Sequence, residues 1–317
     1  MAHRALSVCL SLLFSAQLLL AQQEDESWLS LSRLTITATG SYHYAPWKKY
    51  NESLQLVQDA IRYNPAYSNP RGSLDLVKGD LTGQIEASYR VFGSFSLLVS
   101  AGWMHTEGVI DFSTPLPSST PPGNTSYFQA MWLSSFHYGV GIAYTHAVDE
   151  DLSFSVGASI VRFPVNLDFQ ASYQLDGPVD FYVPPMYSSL FKANLRQTAL
   201  GFNTHVEAKL KIGGPLSIVS RLEYRWLTLK HLQGSGSESD IYASPNSTQV
   251  YGPRAFEAQL GESDGYFGLF IPPLNINDYY LHSLWSRTPS KSWYDTQRPT
   301  SLDISGVGIS LGVSYAF

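Results

Sequence analysis

The sequence predicts an all-β fold: a transmembrane antiparallel up-and-down β-barrel of about eight strands, with a short helix in its first long loop. Three observations predict it. Apolar and polar residues alternate with a two-residue period in eight separate segments. The connections between those segments alternate between short and long. Beyond the apolar run Ala5 to Leu20, no stretch of about 18 apolar residues occurs, so a membrane crossing would have to be made by strands.

The N-terminal run reads as an export leader. Met1 to Arg4 carry a small positive cluster, an apolar centre follows, and Ala21 precedes the polar Gln22-Gln23-Glu24-Asp25-Glu26. That layout is a secretory signal peptide (1–21) cut after Ala21. The competing reading, an anchor helix, is disfavoured because serines and Gln17 interrupt a span already short of about 20 residues. Residues 22–33 then form a short tail and 34–317 the barrel. The single cysteine, Cys9, lies in the leader, so the mature chain offers no disulfide, thiolate ligand or cysteine nucleophile. The net charge of −6 gives a nucleic-acid partner no electrostatic support.

The last segment alternates most strictly. Val307, Ile309, Leu311, Val313, Tyr315 and Phe317 are separated by Gly306, Gly308, Ser310, Gly312, Ser314 and Ala316. Successive strand residues point to opposite faces, so one face meets an apolar medium and the other is small or polar. The pattern recurs around Leu34–Tyr44, Ile85–Val91, Phe95–Trp103, Phe136–Tyr144, Phe154–Ile160, Leu200–Leu210 and Ile218–Trp226. A tilted membrane strand needs about ten residues, and these segments are near that length.

Short connections fall near Gly93-Ser94, at Val148 to Asp151, and at Gly213 to Pro215. Long ones run from Pro46 to Leu81, Glu107 to Tyr127, Gln174 to Leu190, and Gln233 to Thr300. Such sorting suits a bacterial barrel with short periplasmic turns and long extracellular loops, the tail 22–33 being periplasmic. In the first loop Trp47, Tyr50, Leu54, Val57 and Ile61 keep helical spacing up to Pro65 and predict a helix, either covering the rim or serving as an interfacial or partner-binding helix. The last loop is rich in Tyr, Phe, Trp and Pro and is the candidate contact surface for an extracellular ligand; a further hairpin there would make ten strands.

The closing residues Ser310-Leu311-Gly312-Val313-Ser314-Tyr315-Ala316-Phe317 resemble the C-terminal insertion signal of outer-membrane proteins, with Ser310, Gly312, Tyr315 and Phe317 at its defining positions. With eight strands the chain resembles the small OmpA/OmpX-type and OmpW-type barrels. The resemblance is architectural from Leu34 onward and specific only in those eight residues. It implies residence in the bacterial outer membrane among lipid and lipopolysaccharide, and insertion by the outer-membrane assembly machinery. It departs from the OmpA pattern in that no periplasmic peptidoglycan-binding domain follows the last strand.

An eight-stranded barrel is nearly filled by its own side chains. Alternation assigns to its interior the charges Glu86, Arg90, Glu207, Lys209, Arg221, Glu223 and Arg225, with His205 beside them, and Gly306, Gly308 and Gly312 leave them room. They are expected to form a structural plug of ion pairs; a narrow polar path through rearranging pairs is the alternative. Outward aromatic residues, Tyr42, Tyr44, Tyr89, Trp103, Tyr138, Tyr144, Tyr224, Trp226, Tyr315 and Phe317, are candidates for interfacial girdles.

No enzymatic signature stands out. Gly308-Ile309-Ser310-Leu311-Gly312 fits the nucleophile-elbow spacing but lacks the strand-to-helix turn that motif needs. The histidines are scattered, none forms HExxH, and His205 with Glu207 gives only two ligands. No catalytic residue, cofactor or metal ligand is therefore assigned. The expected role is structural or in surface interaction through the loops, ahead of a narrow passive channel and of an outer-leaflet lipid-modifying enzyme.

Overall fold

The computed structural model describes residues 31–62, 71–116, 123–176, 186–230, 232–244, 247–263, 266–270 and 298–317. The expected leader and most of the expected tail lie outside these residues. Among the described residues the fold is all-β and antiparallel, with one α-helix. The described strands are β1 (Leu34–Tyr44), β2 (Arg71–Asp75), β3 (Gly79–Phe92), β4 (Phe95–Leu116), β5 (Gly123–Ala147), β6 (Leu152–Asp176), β7 (Met186–Gly213), β8 (Leu216–Trp226), β9 (Thr228–Leu229), β10 (Gln233–Ser244), β11 (Ser247–Ser263), β12 (Tyr266–Phe270), β13 (Arg298–Pro299), β14 (Leu302–Asp303) and β15 (Gly306–Ala316). The helix α1 spans Lys48–Arg62.

Eight of these strands hydrogen-bond in a circuit. β1 pairs β3, β3 pairs β4, and neighbours continue through β5, β6, β7 and β8 to β15, which pairs β1 from Thr35↔Ala316 to Tyr44↔Val307. The strand count nevertheless exceeds the expected eight. β4 to β7 run 22 to 28 residues and continue far beyond the ring. There β2 pairs β4, β10 pairs β7, β11 pairs β10, and β12 and β13 pair β11. Much of what sequence reading treats as loop (107–127, 174–190, 233–263) is therefore strand. The hairpin β10–β11 adds to the edge of β7 rather than joining the ring.

The reason lies in a change of phase. Along β6 the ring segment points Phe154, Val156 and Ile160 outward; past Ile160 the buried apolar residues are Val161, Phe163, Val165, Leu167 and Phe169, of opposite parity. β4 changes parity between Trp103 and Met104, β7 between Ala199 and Leu200, and β8 between Trp226 and Leu227. A search for one apolar face stops at that point; the strand does not.

Two zones result. In the ring, the outer surface is apolar, with Ile309 and Leu311 each 65% exposed and Leu200 72%. Beyond the ring, Met104, Ile110, Leu133, Leu167 and Leu195 form a buried core, and the outward residues on β6 and β7 are Arg162, Asn166, Asp168, Asn194 and Arg196. α1 packs Tyr50 and Leu54 into that core, with Trp47 just before it. The Asn51 amide donates to Val77 O (2.8 Å) and accepts from Val77 N (2.9 Å), clamping the helix to the β2–β3 junction. Burial pushes the Tyr50 phenol far above its ordinary value, so it stays a neutral group, accepting a hydrogen bond from Gln129 Nε2 at 3.5 Å.

Candidate functional site

The enclosed face of the ring holds two charge clusters, one above the other. In the lower, the Arg221 guanidinium lies between two carboxylates. It meets Glu86 through Nη2–Oε1 (2.7 Å) and Nη1–Oε2 (3.3 Å), and Glu207 through Nε (2.9 Å) and Nη2 (2.6 Å) to Oε2. Lys209 Nζ adds a contact to Glu207 Oε1 at 3.1 Å, and Ser155 Oγ donates to the same oxygen at 3.2 Å. Glu207 and Arg221 are register partners across β7 and β8, whereas Glu86 belongs to β3. Arg221 thus reaches past β15 and β1 to close the interior.

In the upper cluster Arg225 does the same toward Asp80, bonding both carboxylate oxygens and also the carbonyl of Ile304 (3.1 Å). His43 bridges Asp80 (Nδ1–Oδ1, 3.4 Å) and Glu223 (Nε2–Oε1, 3.0 Å). Ser310 Oγ donates to Glu223 (2.8 Å) and lies 2.8 Å from Ser41 Oγ; Thr82 Oγ1 donates to Asp80 at 3.0 Å. Gly308 is needed at this point: a Cβ there would strike the His43 ring and come within 2.9 Å of Glu223 Cγ.

Of the eight residues predicted for the interior, Glu86, Glu207, Lys209 and Arg221 meet in the lower cluster and Glu223 and Arg225 in the upper. His205 is buried with its ring packed against Gly157, where any Cβ would overlap it. Arg90 shares the parity of Glu86 but is exposed, near the end of β3 beside the Gly93–Ser94 turn, and meets neither cluster among the described residues. His43, Asp80, Ser41 and Thr82 were missed. Asp80 shares the parity of Glu86, so carrying the inward phase of β3 back to its start finds it.

The chemistry of the clusters is cross-linking. Ser310, Glu223, His43 and Asp80 form a chain, but Glu223 stands between the hydroxyl and the imidazole. His43 therefore has no contact through which to take the Ser310 proton, as a nucleophilic serine requires. Among the described residues no group of three or more His, Cys, Asp or Glu side chains is arranged to hold a metal ion.

In the C-terminal motif, Ser310 faces inward and belongs to the upper cluster. Gly312 lies against β1, where a Cβ would overlap the carbonyl of Ala38. Tyr315 faces outward, its ring 4.9 Å from that of Phe317. The outward aromatics form two levels. Tyr42, Trp103, Phe136, Tyr138, Phe202, Tyr224 and Trp226 lie toward the core-bearing end; Phe95, Tyr144, Phe154 and Tyr315 lie toward the turns. In the predicted contact loop 233–300, β10 to β13 are described, while 271–297 lie outside the described residues.

No protein-family model matches the chain, and no curated protein does. Among solved structures it is similar to the translocator domain of autotransporter NalP from Neisseria meningitidis, at 7% identity over 99% of this chain and 98% of that one, with a TM-score of 0.21. It is also similar to the CymD monoaromatic hydrocarbon channel (8% identity, 89% and 88% covered, TM-score 0.17). A third is a bacterial polysaccharide outer membrane secretin (7% identity, 91% and 100% covered, TM-score 0.14). Scores this low carry no argument about fold or function, and the case below rests on the chain's own surface and interior.

Proposed function

We propose that the chain is an integral outer-membrane protein whose eight-stranded ring is a small closed barrel in lipid, and whose role is surface interaction through the folded portion standing outside the membrane. The observation that carries this reading is the reversal of radial polarity along the strands. A soluble β-protein buries apolar side chains along its whole length; here the ring has charges inside and greasy residues outside, and the reverse holds beyond it. That is the distribution expected where strands pass from lipid into water.

The pairing register supports closure. Followed one way around the ring, Tyr42 leads through Leu81, His105, Ser134 and Asn166 to Arg196; followed the other way, through Ile309 and Leu222, it leads to Val206, ten residues along the same strand. Eight strands with that stagger tilt by about 40° and enclose a cylinder of about 8 Å backbone radius, which side chains fill. The aromatic levels fit too. On β4, Phe95 and Trp103 are eight residues apart, about 20 Å along the axis of strands so tilted, against an apolar band of about 25 Å in such barrels.

The direct test is a charge on the lipid face. Leu311→Arg is expected to cost about 2–4 kcal/mol of folding stability in bilayers, whereas Thr198→Ser, at an exposed outward position of β7 beyond the ring, costs about nothing. Urea titration in lipid vesicles, read by heat-modifiable gel mobility, measures both. Equal, negligible costs would remove the membrane reading.

The two clusters and the core above them fill the interior, which favours a closed plug over a channel. Purified protein in planar bilayers is expected to give no conductance steps at any applied voltage; reproducible steps of constant size would install the narrow-channel alternative.

A further inference from the structure

The outward face of β6 and β7 beyond the ring is polar and internally braced. Asn166 Nδ2 donates to Asp168 Oδ2 at 3.0 Å, and Asn194 Nδ2 donates to both Asn166 Oδ1 (2.8 Å) and Asp168 Oδ1 (2.6 Å). Arg196 Nε then donates to Asn194 Oδ1 at 2.9 Å. An ordinary solvated face carries long side chains free to turn, whereas these are held in place before anything binds, so little ordering entropy is left to lose. Among the described residues the two Nη groups of Arg196 have no partner and Lys192, two positions beyond Asn194 on the same face, makes no ion pair; both side chains are exposed.

Position selects the ligand. Arg162 is the next outward residue of β6 after the apolar Ile160, with its guanidinium 6.0 Å from the ring centre of Tyr138 in the outer aromatic level. From there the cations climb away from the apolar surface, Arg162 first, then Arg196 and Lys192, with the amide–carboxylate ladder between. The carboxylate of Asp168 accepts from two neutral amides and keeps its negative charge, but it stands against three cations, Arg162, Arg196 and Lys192, so the excess charge on these two strands is positive. We propose that this face binds the phosphorylated, hydroxyl-rich sugar headgroup of the glycolipid in the outer leaflet around the barrel. Guanidinium and ammonium groups suit phosphate, and fixed amide and carboxylate groups suit sugar hydroxyls. The face is continuous with the lipid-facing surface, so a headgroup whose acyl chains lie beside Ile160 and Leu200 arrives at it without leaving the membrane.

This inference rests on the membrane reading above, and the experiment separates the two. Wild type and a Lys192→Ser, Asn194→Ser, Arg196→Ser triple variant are folded in detergent and checked for heat-modifiable mobility. Each is then titrated calorimetrically with acyl-free, phosphorylated core oligosaccharide, with a neutral oligosaccharide and with inorganic phosphate, and is also reconstituted with glycolipid or with phospholipid alone. The expected result is unchanged heat-modifiability and at least a tenfold loss of phosphorylated-oligosaccharide binding in the variant, with wild type preferring glycolipid over phospholipid. Equal binding by the two proteins, no oligosaccharide binding by a properly inserted wild type, or phosphate alone competing as well as the oligosaccharide overturns the headgroup site and leaves the barrel standing. Failure of wild type to insert overturns both.

Discussion

Arg221→Ala is expected to lower folding stability by about 3–5 kcal/mol, because it leaves Glu86 and Glu207 facing each other in a closed interior with no counter-charge but Lys209. The cost belongs to the stranded carboxylates rather than to the strength of the pair. A triple replacement, Arg221→Met with Glu86→Gln and Glu207→Gln, should therefore recover most of the loss, since a buried ionic group can often be exchanged for a neutral one of similar volume at little cost. Urea midpoints in detergent, read by gel mobility and tryptophan fluorescence, give both values. If Arg221→Ala unfolds at the wild-type midpoint, the carboxylates are reached by water and the interior is a wet path.

Trp47→Ala should act at the other end. Trp47, immediately before α1, is 1% exposed and lies against Tyr50 at a ring separation of 6.0 Å. Truncating a buried Trp typically costs about 3–5 kcal/mol through lost transfer energy and the cavity left behind. That cost is expected to fall on the outer zone alone. Limited proteolysis should cut α1 and the β2 region sooner than in wild type, while the ring keeps its heat-shifted mobility. Simultaneous loss of both would mean that the two zones unfold as one unit, contrary to the separation of their cores.

How far the fold was legible depends on which residues carried the signal. The ring segments were readable because their outward face is apolar without a break, as at Ile309, Leu311 and Val313. The same strands beyond the ring were not, because Val161, Phe163 and Val165 follow Ile160 in the other parity and read, by one phase, as loss of pattern. The interior charges were readable wherever they fell within a segment already recognised, as Glu207 and Arg221 did. Asp80 lay just before one, and His43 looked like one of several scattered histidines. Nothing local to either says that they meet; only the closure of β1 and β3 against β8 brings them to Arg225 and Glu223. Arg90 has the inward parity of Glu86 yet lies exposed beside the turn. Parity gives the direction of a side chain but not its depth.

Both arginine cross-links span a seam. Glu86 and Asp80 belong to β3, Arg221 and Arg225 to β8, and between them stand only β1 and β15, the strands farthest apart in the chain. Neither guanidinium finds its carboxylate across that gap until β15 has docked against both neighbours. Burial of charge is thereby tied to the last pairing of the circuit: Glu86 and Arg225 meet their ion-pair partners only with β15 in place, whereas Arg221 meets Glu207 across β7 and β8 without it.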